Sequence, residues 1–143
     1  MKIAIASDHR GYELKKYLKK NIKDIDIVDL GTDSNKSVDY PDFGFKLGEY
    51  VVKNKCFGVA ICGSGIGISI ACNKVNGVRC AKVNFIKESI ATRKDNNSNV
   101  LALSSDINPE RALRIIETFL DTKFSGEERH VKRINKISEY EKK

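Results

Sequence analysis

Short apolar runs alternate along the chain with longer segments in which apolar residues recur every third or fourth position. The runs are rich in Ile, Val and Ala, as expected for buried strands. They cover residues 2–7, 25–30, 58–62, 78–83 and 99–103. Clusters of Gly, Asn, Asp and Ser close several of them, which is typical of loops.

The segments between the runs have helical periodicity. Leu14, Leu18 and Ile22 repeat at a spacing of four, and the lysines at 15, 16, 19, 20 and 23 are predicted to form the solvated face of that helix. Asn108 and Pro109 suit the N-cap and first position of another helix. Further helices are predicted at about 42–53, from the glycine turn near residue 65 to Asn73, at 87–94, and at 127–140, with 95–98 as a polar loop.

This alternation predicts an α/β fold with a Rossmann-like, doubly wound, five-stranded parallel sheet. Residues 1–143 are expected to form a single domain, since no linker or repeat divides the chain. The C-terminal helix, about 127–140, follows another helix and has no strand of its own in the alternation of strands and helices. Its apolar stripe is expected to pack against another surface. Either the parent domain or a second copy of the chain covers it, and we favour a dimer.

Composition excludes several classes of function. No apolar run approaches the ~20 residues of a membrane helix, and residues 1–6 do not form a signal peptide, so we expect a cytoplasmic protein. The net charge of +7 comes from basic residues spread along the chain, which argues against nucleic-acid binding. Four cysteines without a Cys-x-x-Cys pair and two histidines argue against a zinc site. Cys72 and Cys80 are interpreted as small buried hydrophobic residues.

The segment 58–71 is the most informative part of the chain. It predicts a strand ending at Cys62, a tight turn containing Gly63, Gly65 and Gly67, and then a helix. The G-x-G-x-G spacing and the absence of an acidic residue after the next strand argue against a dinucleotide cofactor. No phosphate-loop motif occurs either. The hypothesis that remains is that the backbone N–H groups of this turn form an anion hole and that Cys62 is a base. The alternative is that the glycines only permit the helix to pack closely on the sheet.

Other polar residues follow the strands, where the carboxyl ends of a parallel sheet bind ligands. Asp8 and His9 come directly after the first strand, and His9 could bind phosphate or assist proton transfer. Arg129 and Arg133 lie one helical turn apart, either as a phosphate clamp or as a solvated basic face.

The chain resembles the type B ribose-5-phosphate isomerases, within the group that also holds the galactose-6-phosphate isomerase subunits. The resemblance covers nearly the whole chain. It rests on Ser7–Gly11, Asp39–Asp42, Ile61–Ala71, Asn73–Val75, Gly77–Arg79, Asn99–Ala102 and Arg129–His130.

The resemblance implies interconversion of ribose 5-phosphate and ribulose 5-phosphate in the pentose phosphate pathway, without a metal or other cofactor. Cys62 would move the proton through an enediolate that the glycine-loop amides stabilise, at a site built between the two chains of a homodimer or of a dimer of dimers. Ser64 and Asp95 complete the implied catalytic set. The implied substrate contacts are Asp8, His9, Tyr40, Gly63, Gly65, Ile66, Gly67, Asn96, Arg129 and Arg133.

Two positions depart from the family pattern. Asp95 stands where the family usually has the histidine that opens the sugar ring, and carboxylic acids are weak proton donors at neutral pH. Asp95 could hold its proton unusually tightly, act as a base, or leave ring opening to His9 or water. Asp106 replaces a phosphate-binding arginine. A six-carbon phosphosugar, galactose 6-phosphate or allose 6-phosphate, is therefore the alternative substrate, and a non-catalytic phosphosugar-binding module is the alternative class.

Overall fold

The computed structural model describes all 143 residues, Met1–Lys143. Five strands alternate with helices until β5, after which two helices follow in succession. The elements are β1 Lys2–Ser7, α1 Tyr12–Asn21, β2 Asp26–Asp29, α2 Tyr40–Asn54, β3 Phe57–Cys62, α3 Ile66–Asn73, β4 Cys80–Lys82, α4 Ile86–Asn96, β5 Val100–Ser104, α5 Pro109–Asp121 and α6 Glu128–Glu141.

All strand pairs are parallel, and the order across the sheet is β2-β1-β3-β5-β4. The predicted doubly wound sheet is confirmed. The order reverses between β1 and β3, and the crevice at such a reversal is where α/β sheets bind ligands. Ser7 pairs with Ile61, and Cys62 pairs with Ser104. The residues that follow β1, β3 and β5 therefore meet at one edge of the sheet.

The two faces of the sheet carry side chains of different size. Ile3, Ile5 and Ile61 lie in one core cluster with residues of α1 and α5. Ala4, Ala6 and Ala60 face the other cluster, with α2 and α3. Small side chains on that face let α3 approach the sheet closely, which fixes the position of the turn that precedes it.

The predicted solvated lysine face is wrong at one position. Lys15 is only 1 % exposed, and its Nζ donates to Asp29 Oδ1 and to the Thr32 carbonyl, both at 2.6 Å. Lys19 donates to the other oxygen of Asp29 at 2.8 Å. A charged group is buried only when it is paired, and here the pair ties α1 to the end of β2.

The predicted loop 95–98 is also wrong at its start, because α4 continues through Asp95 and Asn96. The helix ends one residue later, where Asn97 takes the left-handed conformation with φ of 47°. The N–H of Asn97 bonds to the carbonyls of Arg93 and Thr92 and closes the last turn. Asp95 is therefore held on a helix and not on a loop.

The C-terminal helix α6 begins and ends one residue later than the predicted span of 127–140. Its Glu141 side chain accepts a hydrogen bond from the Gly77 N–H at 2.6 Å, and its carbonyl accepts one from Asn76 at 3.2 Å. Ile137 and Tyr140 remain 51 % and 74 % exposed, so part of its apolar stripe is uncovered within one chain. None of the helices has the length and apolar character needed to cross a membrane.

Candidate active site

Cys62 is the last residue of β3 and its side chain is buried, with 4 % exposure. The backbone N–H of Gly65 donates to its Sγ at 3.2 Å. The Cys62 carbonyl accepts from the Ser105 N–H at 3.0 Å, which anchors the residue to the loop after β5. The Gly65 N–H thus points at the sulfur, the atom through which a cysteine acts as a base or nucleophile.

The turn after Cys62 requires glycine at position 65. Gly65 has φ of +78°, and a Cβ there would lie 2.8 Å from the backbone carbon of Leu103. The Ser64 hydroxyl accepts from the Ile66 N–H at 3.1 Å. The next two N–H groups of α3, those of Gly67 and Ile68, have no acceptor within the chain. They provide free donors for an anion at the helix N-terminus.

Tyr40 lies beside this turn. It opens α2, its side chain is 39 % exposed, and a Cβ on Gly67 would lie 2.6 Å from its Cζ atom. Any side chain at position 67 would overlap the tyrosine ring, so this position requires glycine. The contact places the Tyr40 hydroxyl next to the free amides of α3.

Asp8 and His9 reach the same edge of the sheet. Asp8 is 5 % exposed, and its Oδ1 accepts from the N–H groups of Arg10 and Gly11 at 3.0 and 3.1 Å. Nδ1 of His9 accepts from the Val38 N–H at 3.2 Å. The hydrogen of a neutral His9 ring is therefore on Nε2, which is left for a ligand.

Three residues near the turn were not among those predicted from the sequence. Ser104 and Ser105 donate to the Gly63 carbonyl at 2.8 and 3.3 Å. The Arg10 guanidinium packs on Gly63, where a Cβ would lie 2.9 Å from its Cζ. Ser104 ends β5 and Ser105 follows it. The rule that ligands bind at the carboxyl ends of parallel strands could therefore have found both serines from the sequence. Asp106 follows, with its N–H bonded to the Ser104 hydroxyl at 3.2 Å.

The structure does not bring the remaining predicted residues to this edge. Asp95 and Asn96 lie at the C-terminal end of α4, which runs back along the sheet. The Arg79 side chain, just before β4, donates to the Asn96 carbonyl at 3.0 Å. This end of α4 is therefore beside the amino end of β4, opposite to Cys62. Arg129 and Arg133 lie on α6, which packs against α4.

His130 of α6 is part of this second group and was missed as a site residue. It is 8 % exposed, and its Nε2 lies 3.4 Å from Asp95 Oδ1 and 3.5 Å from Glu127 Oε2. Neither contact has the alignment of a hydrogen bond. Arg129 pairs with the other oxygen of Glu127 at 3.1 Å. The sequence indicated His130 only through its place between the two arginines.

Cys72 and Cys80 are separate from this chemistry. Cys72 is fully buried, as predicted, and donates to the Gly44 carbonyl at 3.4 Å. Cys80, also predicted to be buried, is only partly buried. The hydrogen bond with Cys72, together with burial, raises the pKa of the Cys80 thiol well above its usual range. No group of three or more His, Cys, Asp or Glu side chains is arranged to hold a metal ion.

The doubly wound sheet, with a thiol and free helix amides at its switch point, defines an α/β protein with a site suited to an anionic ligand. The family model described as Ribose/Galactose Isomerase matches residues 3–137. The chain belongs to this family.

Relatives match the chain over most of its length. Ribose-5-P isomerase B of Listeria innocua is 37 % identical over 131 residues, covering 88 % of each chain. The solved ribose-5-phosphate isomerase B of Clostridium thermocellum has a TM-score of 0.92 and 45 % identity, covering 99 % of this chain and 98 % of that one. The Mycoplasma genitalium enzyme, solved with bound ribulose 5-phosphate, has a TM-score of 0.93 and 41 % identity, covering 99 % and 97 %.

Proposed function

We propose that this chain is an aldose–ketose isomerase that interconverts ribose 5-phosphate and ribulose 5-phosphate. The observation that carries the proposal is the Cys62 thiol, held by the Gly65 N–H at 3.2 Å beside the free amides of Gly67 and Ile68. The base and these anion donors therefore lie only five and six residues apart in the chain. Relatives named for this reaction, one with ribulose 5-phosphate bound, support the substrate.

The proposed reaction moves one proton between neighbouring carbons. The Cys62 thiolate takes the proton from C2 of the open-chain aldose, and the electron pair of that bond forms the enediolate as the carbonyl oxygen becomes negative. The amides of α3 stabilise that charge. The thiol then returns the proton to C1, the hydroxyl proton passes from O2 to O1, and the carbonyl is left at C2. One carbon-bound proton, one hydroxyl proton and the electron pairs of the substrate move, so the reaction is balanced within the sugar.

The remaining residues at this edge are proposed to hold the substrate. Tyr40 and Ser64 lie nearest the free amides and suit the hydroxyl groups of the sugar. Nε2 of His9 is free to donate to the substrate or its phosphate. The Asp8 carboxylate already accepts two backbone hydrogen bonds through Oδ1, so we assign it first to the shape of the loop and through Oδ2 to a sugar hydroxyl.

We further propose that the active unit is a homodimer, or a dimer of dimers, with each site formed by two chains. The edge of the sheet opposite to Cys62 carries Asp95, Asn96, Arg129 and Arg133. The length of β5 places the two edges about 15 Å apart. A phosphopentose cannot reach both groups within one chain. A second copy can supply the missing arm, and the exposed Ile66 and Ile70 beside the Cys62 turn, each 56 % exposed, offer apolar surface for it.

We expect the enzyme to work in the cytoplasm, because a reducing compartment keeps Cys62 a free thiol. All four cysteines are unpaired in the structure. The location is testable by fractionating cells that express the protein at its natural level.

The test is a substrate panel on the purified protein, with ribose 5-phosphate, allose 6-phosphate and galactose 6-phosphate. We expect the highest kcat/KM for ribose 5-phosphate. A clear preference for a six-carbon sugar would overturn this choice and assign Asp95 and Asp106 to substrate selection. Binding of the sugars without turnover of any would make the protein a phosphosugar-binding module instead.

A further inference from the structure

The buried imidazole of His130 is the polar group that the proposed proton transfer leaves without a role. Its Nε2 is enclosed and has no aligned hydrogen-bond partner, although two carboxylate oxygens lie within 3.5 Å. A buried polar atom in such a position costs free energy unless a proton is shared with a neighbour. The two carboxylates offer that sharing.

The two carboxylates around Nε2 are not equivalent. Glu127 is also paired with Arg129, which draws its charge away from the imidazole. Asp95, on α4, has no other charged partner within 4 Å, and its side chain is 51 % exposed. Asp95 on α4 and Glu127 at the start of α6 are the carboxylates within 4 Å of the imidazole, and Arg129 on α6 is paired with Glu127. Asp95 thus lies against the buried imidazole on one side and is open to solvent, and so to a ligand, on the other.

Isomerisation of ribose 5-phosphate needs a proton donor in addition to Cys62. The sugar is mostly a closed furanose, in which C1 has no carbonyl, so the ring must open before C2 can lose its proton. Opening moves a proton from the O1 hydroxyl to the ring oxygen O4. Aspartic acids ordinarily lose their proton near pH ~4, so an isolated aspartate would be a poor donor at neutral pH.

We propose that Asp95 and His130 act as one proton-sharing pair that opens the sugar ring, with Asp95 touching the substrate and His130 as its positioning residue. This rests on the proposed function and on the two-chain site. Histidine is a common proton shuttle, and the 3.4 Å contact lets the imidazole pass a proton to the Asp95 carboxylate, so that Asp95 can serve as a proton donor.

The proposed ring opening transfers protons only between this pair and the sugar. Asp95 in its protonated form gives its proton to O4 while its second oxygen takes the proton of the O1 hydroxyl. The C1–O4 bond breaks and the C1=O1 bond forms. The pair ends with the proton it began with, and no oxidant, reductant or metal is required.

The two sugars separate ring opening from the isomerisation step. Ribose 5-phosphate is cyclic, whereas ribulose 5-phosphate cannot close a five-membered ring because its O5 carries the phosphate. The Cys62 base can therefore exchange the C1 hydrogen of ribulose 5-phosphate with D2O without ring opening. The experiment measures ribose 5-phosphate turnover and this exchange by NMR for the wild type and for His130→Gln.

We expect His130→Gln to lower ribose 5-phosphate turnover by about 10²-fold, the low end for general acid–base catalysis, and to leave the exchange near the wild-type rate. Glu127→Gln, which changes the other carboxylate beside Nε2, should keep the wild-type ratio of turnover to exchange. Asp95→His added to His130→Gln should recover turnover, since an imidazole then faces the sugar directly.

Equal loss of turnover and exchange in His130→Gln would overturn the pair and make His130 a structural residue. Unchanged turnover would overturn it as well. If the wild type exchanges the C1 hydrogen of ribulose 5-phosphate but does not turn over ribose 5-phosphate, no group of the protein opens the ring. That result would refute the pair and leave the proposed role of Cys62 unchanged. If the wild type catalyses neither reaction, the proposed function is refuted and the pair is refuted with it.

Discussion

The backbone N–H of Gly65 points at the Sγ of Cys62 from 3.2 Å, across a turn of only three residues. The left-handed φ of Gly65 produces this alignment, because it folds the chain back toward the end of β3 before α3 begins. The same glycine thus orients a donor at the thiol and directs the next amides of the helix into the site. Catalytic base and anion hole depend on one backbone conformation.

Replacing Cys62 with Ala should lower turnover of ribose 5-phosphate by about 10³-fold or more, because the carbon proton then has no base. Affinity for ribulose 5-phosphate should change little, since the backbone donors remain. Isothermal titration beside the steady-state assay checks both. Cys72→Ala is the matched control, since that thiol is buried away from the site. Comparable turnover by Cys62→Ala and the wild type would remove Cys62 from the mechanism.

Gly65→Ala should lower both stability and kcat. A left-handed alanine costs about 1–2 kcal/mol, and the Cβ would also meet the Leu103 backbone at 2.8 Å. Gly126 offers a matched control, because its φ is +71° with nothing within 4 Å of a Cβ. Urea unfolding should therefore show a larger loss for Gly65→Ala than for Gly126→Ala. Equal losses would mean that the packing around the turn relaxes freely.

Two inactive variants should complement each other if each site takes residues from two chains. Cys62→Ala loses the base, and Arg133→Ala loses part of the proposed phosphate clamp. After random mixing and reassembly, about a quarter of the sites would be intact, and activity should return to that level. Mixing Cys62→Ala with Ser64→Ala is the control, because both changes then lie in the same arm. Activity that stays at the sum of the separate variants would argue for a site within one chain.

Asp29 should make stability depend on pH. Burial alone would raise its pKa, but hydrogen bonds from Lys15 and Lys19 outweigh burial, and the pKa is lowered from its usual value. A lowered pKa means that the carboxylate stabilises the folded chain at neutral pH and loses this effect as acid protonates it. Asp29→Asn should cost about 3 kcal/mol at pH 7, and the difference from wild type should shrink below pH ~4.

Urea titrations at pH 7 and at several values below pH 4 test the Asp29 prediction. Asp26→Asn is the matched control, since Asp26 lies exposed on the same strand without a salt bridge. A cost for Asp29→Asn that does not vary with pH would exclude the ion pair as its origin.

Periodicity predicted the sheet, the switch point and the Cys62 turn because these depend on contacts that are local in the chain. The apolar run 58–62 and the glycines after it fix a strand, a turn and a helix with little outside help. Asn108 and Pro109 start their helix as predicted, and the Asn108 side chain accepts from the Arg111 N–H at 3.0 Å.

Distant partners account for the differences. Lys15 has the same local pattern as its lysine neighbours, but Asp29 lies opposite it once β2 is in place, and burial follows. Asp95 stands in a polar run that looks like a loop, although only Asn97 breaks the helix. The neighbourhood of His130 depends on how α6 packs against α4, and no short-range pattern encodes that contact.

The bonds from Glu141 to Asn76 and Gly77 have a practical consequence for handling the protein. They fasten the end of the chain to the turn before β4, so the last residues belong to the folded structure. A purification tag fused directly after Lys143 would therefore be expected to weaken the hydrogen bonds of Glu141. A tag before Met1, whose side chain is 68 % exposed, leaves them undisturbed.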